Sequence, residues 1–285
     1  MYERNLSRNL PLIRRFGGLS PVISAFENKS VIITGAGPSL DGYYEVLREH
    51  SRRQDVLIVA ADMAYRQLLK NGIVPDFVIT CETVARDFFI TDDIETVKIK
   101  KPVALLAFSC SSHSNLRKWK GSINFFNWMK KGPGFDELWD TAGRDLGFVG
   151  TASIVTTQAI SIALGCGIRQ LILLGNDLGF SSGYYGRDND RYYGLFCTGD
   201  RFNPALSSEK KLLEKIKHYE IIRGNEKFFT NHQFAAAKQW LDDLFGKTEK
   251  PVFDGSIPGC SPDKVKKISV KDFRNILSLK KNRRV

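Results

Sequence analysis

The chain contains no apolar run near the roughly 18 residues that a membrane helix needs. Its start, Met1-Tyr2-Glu3-Arg4-Asn5, lacks a hydrophobic signal core, so a cytoplasmic location is expected. Cysteine is sparse and badly spaced for a metal or a disulfide framework. The five residues (Cys81, Cys110, Cys166, Cys197 and Cys260) include no CxxC pair and are odd in number, which favours reduced thiols. Cys81, Cys110 and Cys166 adjoin apolar runs and read as core fillers. Histidine is scarce too, with four residues, and no His-rich metal site can be drawn from them. A G-x-S-x-G nucleophile elbow is missing. No lysine follows the glycine-rich turn described below, which argues against a P-loop NTPase.

With 285 residues the chain is expected to form one large domain, or one domain with appendages. The net charge of +11 is uneven. From Lys264 to Val285 nine Lys or Arg residues face a single acid, Asp272. Arg4, Arg8, Arg14 and Arg15 make the N-terminus basic as well. Such ends suit an anionic surface or an acidic partner, or are simply solvated extensions. The middle of the chain is near neutral, so nucleic acid is an unlikely partner.

Short apolar runs alternate with helical patterns. Ser30–Thr34, Val56–Ala60, Phe77–Cys81, Val103–Phe108, Ile123–Phe126 and Gln170–Leu174 read as strands. Leu40–Arg53, Asp62–Asn71 and Thr151–Leu164 read as helices. This alternation predicts an α/β, Rossmann-like fold, with a mostly parallel doubly wound sheet, helices on both faces and a C-terminal helical extension. Asn176–Ser208 is rich in Gly, Tyr, Asp and Arg, without periodicity, and reads as a lid or acceptor loop. Ser208–Ile222 and Asn231–Phe245 read as amphipathic helices, and Gly255–Pro262 as a punctuated loop. The expected organisation is a basic arm (1–28), a nucleotide-binding core (29–183), an aromatic loop and helical part of the same domain (184–250) and a basic tail (251–285).

The most informative stretch is Val31-Ile32-Ile33-Thr34-Gly35-Ala36-Gly37-Pro38-Ser39-Leu40-Asp41. A β-branched run ends in glycines and then turns helical. Gly35 and Gly37 let a ligand approach the backbone, Pro38 suits a first helical turn, and Ser39 adds a hydroxyl. Turns of this kind hold phosphates on helix N-terminal amides. In an open α/β sheet, ligands bind beyond the carboxyl ends of the strands, where the strand order reverses. That rule adds Asp62, Glu82, His113, Asn176 and Asp177 as candidates. Asp62 serves equally well as a helix cap. His113 follows a strand and suits a general base, though an ordinary surface role fits it too. Asp62, Glu82 and Asp177 could also hold magnesium.

Gly35-Ala36-Gly37-Pro38-Ser39-Leu40-Asp41 resembles a signature shared by the archaeal 6-hydroxymethylpterin pyrophosphokinases (MptE-like proteins) and the motility-associated-factor proteins that glycosylate flagellin. Three further stretches are similar to blocks of that family: Ala60-Ala61-Asp62-Met63-Ala64 with Leu69–Asp76, Gly150-Thr151-Ala152-Ser153 with Ala163–Cys166, and Leu173-Leu174-Gly175-Asn176-Asp177-Leu178. The likeness spans roughly Lys29 to Gly183, with a looser match at Gly255–Pro262. The turn also resembles the cytidine-nucleotide site of bacterial sialyltransferases, which need no metal. The resemblance implies that Gly35, Gly37, Pro38 and Ser39 hold phosphate or ribose, and that Asp62 and Asp177 border the nucleotide and the reacting centre. The family's histidine-bearing segment after the last acidic turn is absent from Asp177–Tyr184.

Three functions follow as expectations. One is a metal-independent glycosyltransferase with a CMP-type donor of an acidic sugar and an unknown acceptor. Its catalytic candidates are Asp177, His113, Tyr184 and Tyr185, and its nucleotide-binding residues Gly35, Ala36, Gly37, Pro38, Ser39, Asp62, Glu82 and Asn176. The second is an ATP-dependent pterin pyrophosphokinase with magnesium on Asp62 and Asp177. The third is a non-catalytic nucleotide-binding or scaffold protein.

Overall fold

The computed structural model describes residues 1–84, 102–180, 185–186, 218–223, 225–257 and 260–278. The apolar runs form strands β1 (Ser30–Thr34), β2 (Val56–Ala61), β3 (Phe77–Thr80), β4 (Ala104–Phe108), β5 (Ile123–Trp128), β6 (Phe148–Val149) and β7 (Gln170–Leu174). Further along lie β8 (His218–Arg223), β9 (Glu226–Asn231), β10 (Val252–Asp254) and β11 (Lys266–Lys267). Nine of them make one sheet in the order β11-β10-β7-β1-β2-β3-β4-β5-β6, and every pairing in it is parallel. β8 and β9 form a separate antiparallel hairpin.

The order explains the sequence pattern. β1 and β2 are buried along their whole length, so neither can alternate polar with apolar residues. From β1 the chain steps outward through β2 to β6. It then returns across the sheet and lays β7 against the other side of β1. The reversal of order therefore falls between β1 and β7.

The helices are α1 (Tyr2–Phe16), α2 (Ser20–Phe26), α3 (Tyr44–His50), α4 (Asp62–Lys70), α5 (His113–Lys118), α6 (Pro133–Ala142), α7 (Val155–Gly165), α8 (His232–Phe245) and α9 (Val270–Ser278). Right-handed crossovers send the helices that connect β1 to β6 to one face and α7 to the other. α7 packs across β1, β2, β3 and β7. Its small and β-branched side chains let it lie close on the sheet, and seven of its residues are buried.

Four expectations need correction. The basic arm is two helices. α1 buries Leu6 and Ile13 while its arginines take the outer side, because its apolar positions repeat at helical spacing. The basic tail adds β10 and β11 to the sheet, and α9 packs Phe273 edge-on against Tyr43, 5.7 Å between centroids. Lys267 there pairs with the buried Asp254 at 2.9 Å, so part of the tail's charge is neutralised within the fold. The expected helix 208–222 ends instead in strand β8, where Tyr219, Ile221 and Ile222 favour an extended chain and Ile221 pairs with Phe228; its portion 208–217 lies outside the described residues. The helix expected from Leu40 is split into a 3-10 turn, Pro38–Gly42, and α3. Cys110 and Cys166 are buried core residues, as expected, and Cys81 packs against the core.

Two asparagines hold α1 in place. Asn5 Nδ2 donates to the carbonyls of Thr83 (2.8 Å) and Cys110 (3.0 Å). One turn later Asn9 Nδ2 donates to Ser109 (2.9 Å) and Ser111 (2.8 Å). These carbonyls lie beyond the ends of β3 and β4, so α1 fixes the loops at one rim of the sheet. Asn9 is fully buried, and removing its amide strands two carbonyls. Asn9→Ala is expected to cost about 3 kcal/mol in urea unfolding, against about 0.5 kcal/mol or less for the exposed Ser7→Ala. Equal effects would mean that α1 is not part of the cooperative unit.

Candidate functional site

The carboxyl ends of β1 and β7 meet at two glycines. Gly175 has φ +65°, and a Cβ there would collide with the carbonyl of Gly35; a Cβ on Gly35 would likewise strike the carbonyl of Gly175. The crossing is closed by ladder-like bonds from Gly35 N–H to Leu174 O and from Gly37 N–H to Gly175 O, both 2.9 Å. Beside it opens a cavity of about 250 Å³, lined on one side by Gly35, Ala36, Gly37, Gly175, Asn176 and Asp177. Asp62 and Glu82, from the ends of β2 and β3, continue the wall. The start of α7 (Ser153 to Thr156), Leu178, Tyr185 and the start of α8 (Gln233 and Phe234) complete it.

Asp177 is the joint of the turn. Its Oδ2 accepts from Ser39 N–H at 2.8 Å and its Oδ1 from Ile257 N–H at 2.7 Å, so it ties β1 to the loop after β10. A side chain on Gly37 would run into this carboxylate. Burial pushes the Asp177 carboxyl up to about 6, although hydrogen bonds from Ser39 and Ile257 pull the other way. Asn176 donates from Nδ2 to the carbonyls of Ile33 (3.0 Å) and Leu174 (3.2 Å). Its buried Oδ1 has no hydrogen-bond partner among the described residues.

Asp62 opens α4 but does not cap it, since Ala61 holds the N-cap position. Its Oδ2 accepts from Thr80 Oγ1 at 2.7 Å and its Oδ1 from Met63 N–H at 2.8 Å. Burial raises its carboxyl to about 7, and the charge of Glu82 adds to the rise. No lysine, arginine or histidine is among the described residues lining this cavity. Two carboxyl groups that resist ionisation therefore take the place of cations in limiting the negative charge there.

Several expectations change at this level. The amide cradle across residues 35 to 40 is largely filled by protein acceptors: Gly35, Gly37 and Ser39 donate as given above, and Leu40 N–H donates to Gly37 O at 3.2 Å. Pro38 and Ser39 are not among the described residues that line the cavity. His113 is elsewhere. It starts α5, with Nδ1 3.0 Å from Asn9 Oδ1, where burial and nearby arginines lower its pKa. Tyr185 reaches the cavity, and Gly186 N–H beside it donates to Ala36 O at 3.0 Å. Tyr184, Tyr192 and Tyr193 lie outside the described residues, as does most of the expected lid. Magnesium fits this donor set poorly. Both oxygens of Asp62 and of Asp177 already accept hydrogen bonds, burial raises the pKa of both groups, and no cluster of three metal-ligating side chains occurs among the described residues.

Sequence reasoning missed Ser153, Thr156, Gln233 and Phe234. The first two lie in a stretch read as the opening of a helix that in fact begins at Val155. Gln233 and Phe234 come from a distant helix, and only the fold brings Gln233 to Ser153, whose carbonyl accepts from its Nε2.

The fold and site define a doubly wound α/β protein with a ligand-sized cavity at the switch point. Residues 4–183 match the model of the family described as 6-hydroxymethylpterin diphosphokinase MptE-like, and the chain belongs to that family. Among solved structures it is similar to the MAf glycosyltransferase from Magnetospirillum magneticum AMB-1, with a TM-score of 0.62 and 17% identity over 90% of this chain and 37% of that one. That likeness is one of fold, and the chain spans little more than a third of the larger protein. No curated protein matches it. No helix among the described residues is long and apolar enough to cross a membrane.

Asp62 links pH to stability. Its folded pKa lies above the unfolded value, so the stability it contributes is complete below pH 4 and is lost as pH rises through about 7. Asp62→Asn removes this loss. Relative to the parent, the variant is expected to gain about 3 kcal/mol between pH 4 and pH 8. Parallel stability curves for the two proteins would contradict the assignment.

Proposed function

We propose that the chain is a transferase acting on a nucleotide-activated sugar, with a CMP-type donor of an acidic sugar, and that it needs no metal. The observation that carries this reading is the cavity at the β1–β7 reversal, whose two buried carboxyl groups titrate near neutrality. A donor with a single phosphate meets less repulsion there than a triphosphate would. In the transfer, the bond between the sugar and the phosphate breaks and its electron pair leaves on the phosphate. The acceptor hydroxyl forms the new bond and gives up its proton. Asp62 is suited to take that proton, because a base tuned near neutrality is partly ionised there and still basic. Asp177 holds the turn and the 255–257 loop around the donor. Tyr185 lines the cavity, and on this reading it hydrogen-bonds the departing phosphate, a kind of contact that contributes about 3 kcal/mol in comparable sites.

The family description supports a second reading, transfer of diphosphate from ATP to a pterin alcohol with magnesium. Thermal melting separates the two, because a ligand that binds only the folded state raises the melting temperature. With CMP alone a rise is expected, unchanged by magnesium. A rise that requires ATP together with magnesium would replace the first reading with the second, and no rise with any nucleotide would remove both.

A further inference from the structure

The N-terminus of α7 faces the same cavity in an unusual condition. Its N-cap is Ile154, which offers no side-chain acceptor, and its first turn contains no acid. The neighbouring helices on the cavity wall are provided for: α8 is capped by Asn231, whose Oδ1 accepts from Phe234 N–H at 2.8 Å, and α4 has Asp62. The N–H groups of Ser153, Ile154, Val155 and Thr156 meet no acceptor among the described residues. Four orphan donors at a helix start require water or a ligand. A second feature is independent of the helix end. Thr156 is only 8% exposed and lines the cavity, and its hydroxyl makes no hydrogen bond among the described residues. A hydroxyl on a side chain this buried, open only toward the cavity, is left for a ligand or water to satisfy.

The surrounding loop holds this geometry. Ser153 adopts φ +68°, and its carbonyl is held by Gln233. Thr157 Oγ1 accepts from Ala152 N–H (3.0 Å) and donates to Ile154 O (2.6 Å). Gly150 N–H donates to Ser161 Oγ at 3.0 Å. The bonds fix the chain on both sides of residues 153–156 and leave those amides unused.

We propose that the first turn of α7, through the amides of Val155 and Thr156 and the Thr156 hydroxyl, is where this cavity binds a phosphate group. On the donor-site reading above, on which the assignment of the ligand rests, this is the phosphate of the nucleotide. The helix dipole adds partial positive charge at a place where no cationic side chain does. The role expected of the glycine turn thus passes to a different element, and the turn shapes the cavity wall instead.

Val155 is the first helical residue, where proline is well tolerated, and Ile154 before it is already extended (φ −127°, ψ 146°). Val155→Pro therefore deletes one amide donor and keeps the helix; Thr156→Val deletes the hydroxyl with little change of shape. The test has two arms. In the first, backbone amide NMR shifts of the full chain are followed with inorganic phosphate and, separately, with acetate. Phosphate is expected to move Val155 and Thr156. Movement of residues 35–40 instead, or a response to acetate alone, or none, would overturn the proposal. The second arm compares affinities for CMP and cytidine. The preference for CMP is expected to fall about tenfold in each variant, with cytidine binding unchanged. An undiminished preference in both folded variants would overturn the site. If phosphate moves the α7 amides but neither CMP nor cytidine binds, the phosphate site stands and the nucleotide-sugar reading fails.

Discussion

The contact on which this architecture depends is the approach of two backbones at Gly35 and Gly175. β7 returns to β1 only because neither strand carries a side chain where their ends turn apart. Were either residue larger, the ends would separate and the bond from Gly37 N–H to Gly175 O would be lost. Asp177 would then no longer reach Ser39 and Ile257. The cavity is thus a consequence of strand order, since a reversal leaves a crevice where the adjoining connections depart to opposite faces.

The electrostatics of that crevice follow from burial rather than from charge. Its acids come from the ends of three different strands, β2, β3 and β7, and converge in space with no cation among the described lining residues. Water is excluded enough to raise Asp62 and Asp177 well above the usual carboxylate range. Against them stands the uncapped start of α7. Acids with raised pKa values on one wall and orphan amides on another form a site that tolerates an anion without being strongly basic. The net positive charge of the chain is not concentrated on the described lining of this cavity, and some of its basic residues, such as Lys267 and Arg274, are paired within the fold.

Much of the sheet was legible in the sequence. The runs at Ser30–Thr34 and Gln170–Leu174 are strands with the bounds expected, because doubly buried strands must be continuously apolar and glycine stops them sharply. The terminal segments were not legible. Their arginines and lysines dominate the composition, while the apolar stripes of α1 and α9 are short and interrupted, and β10 and β11 contribute only three and two residues. At the site, the glycine turn, Asp62, Glu82, Asn176 and Asp177 could be found because strand ends can be found. The state of the amides could not. Whether Ser39 N–H faces a ligand or Asp177 depends on a contact 138 residues away in sequence. His113 illustrates the same limit: it follows a strand as a catalytic base would, but α1 claims it through Asn9.

A crystal structure of the chain with CMP tests the central claim most directly. The nucleotide is expected between the ends of β1 and β7, with its phosphate on the first turn of α7 and Asp177 still bound to Ser39 and Ile257. A nucleotide lodged on residues 35–40 with Asp177 displaced, or bound away from this crevice altogether, would contradict it.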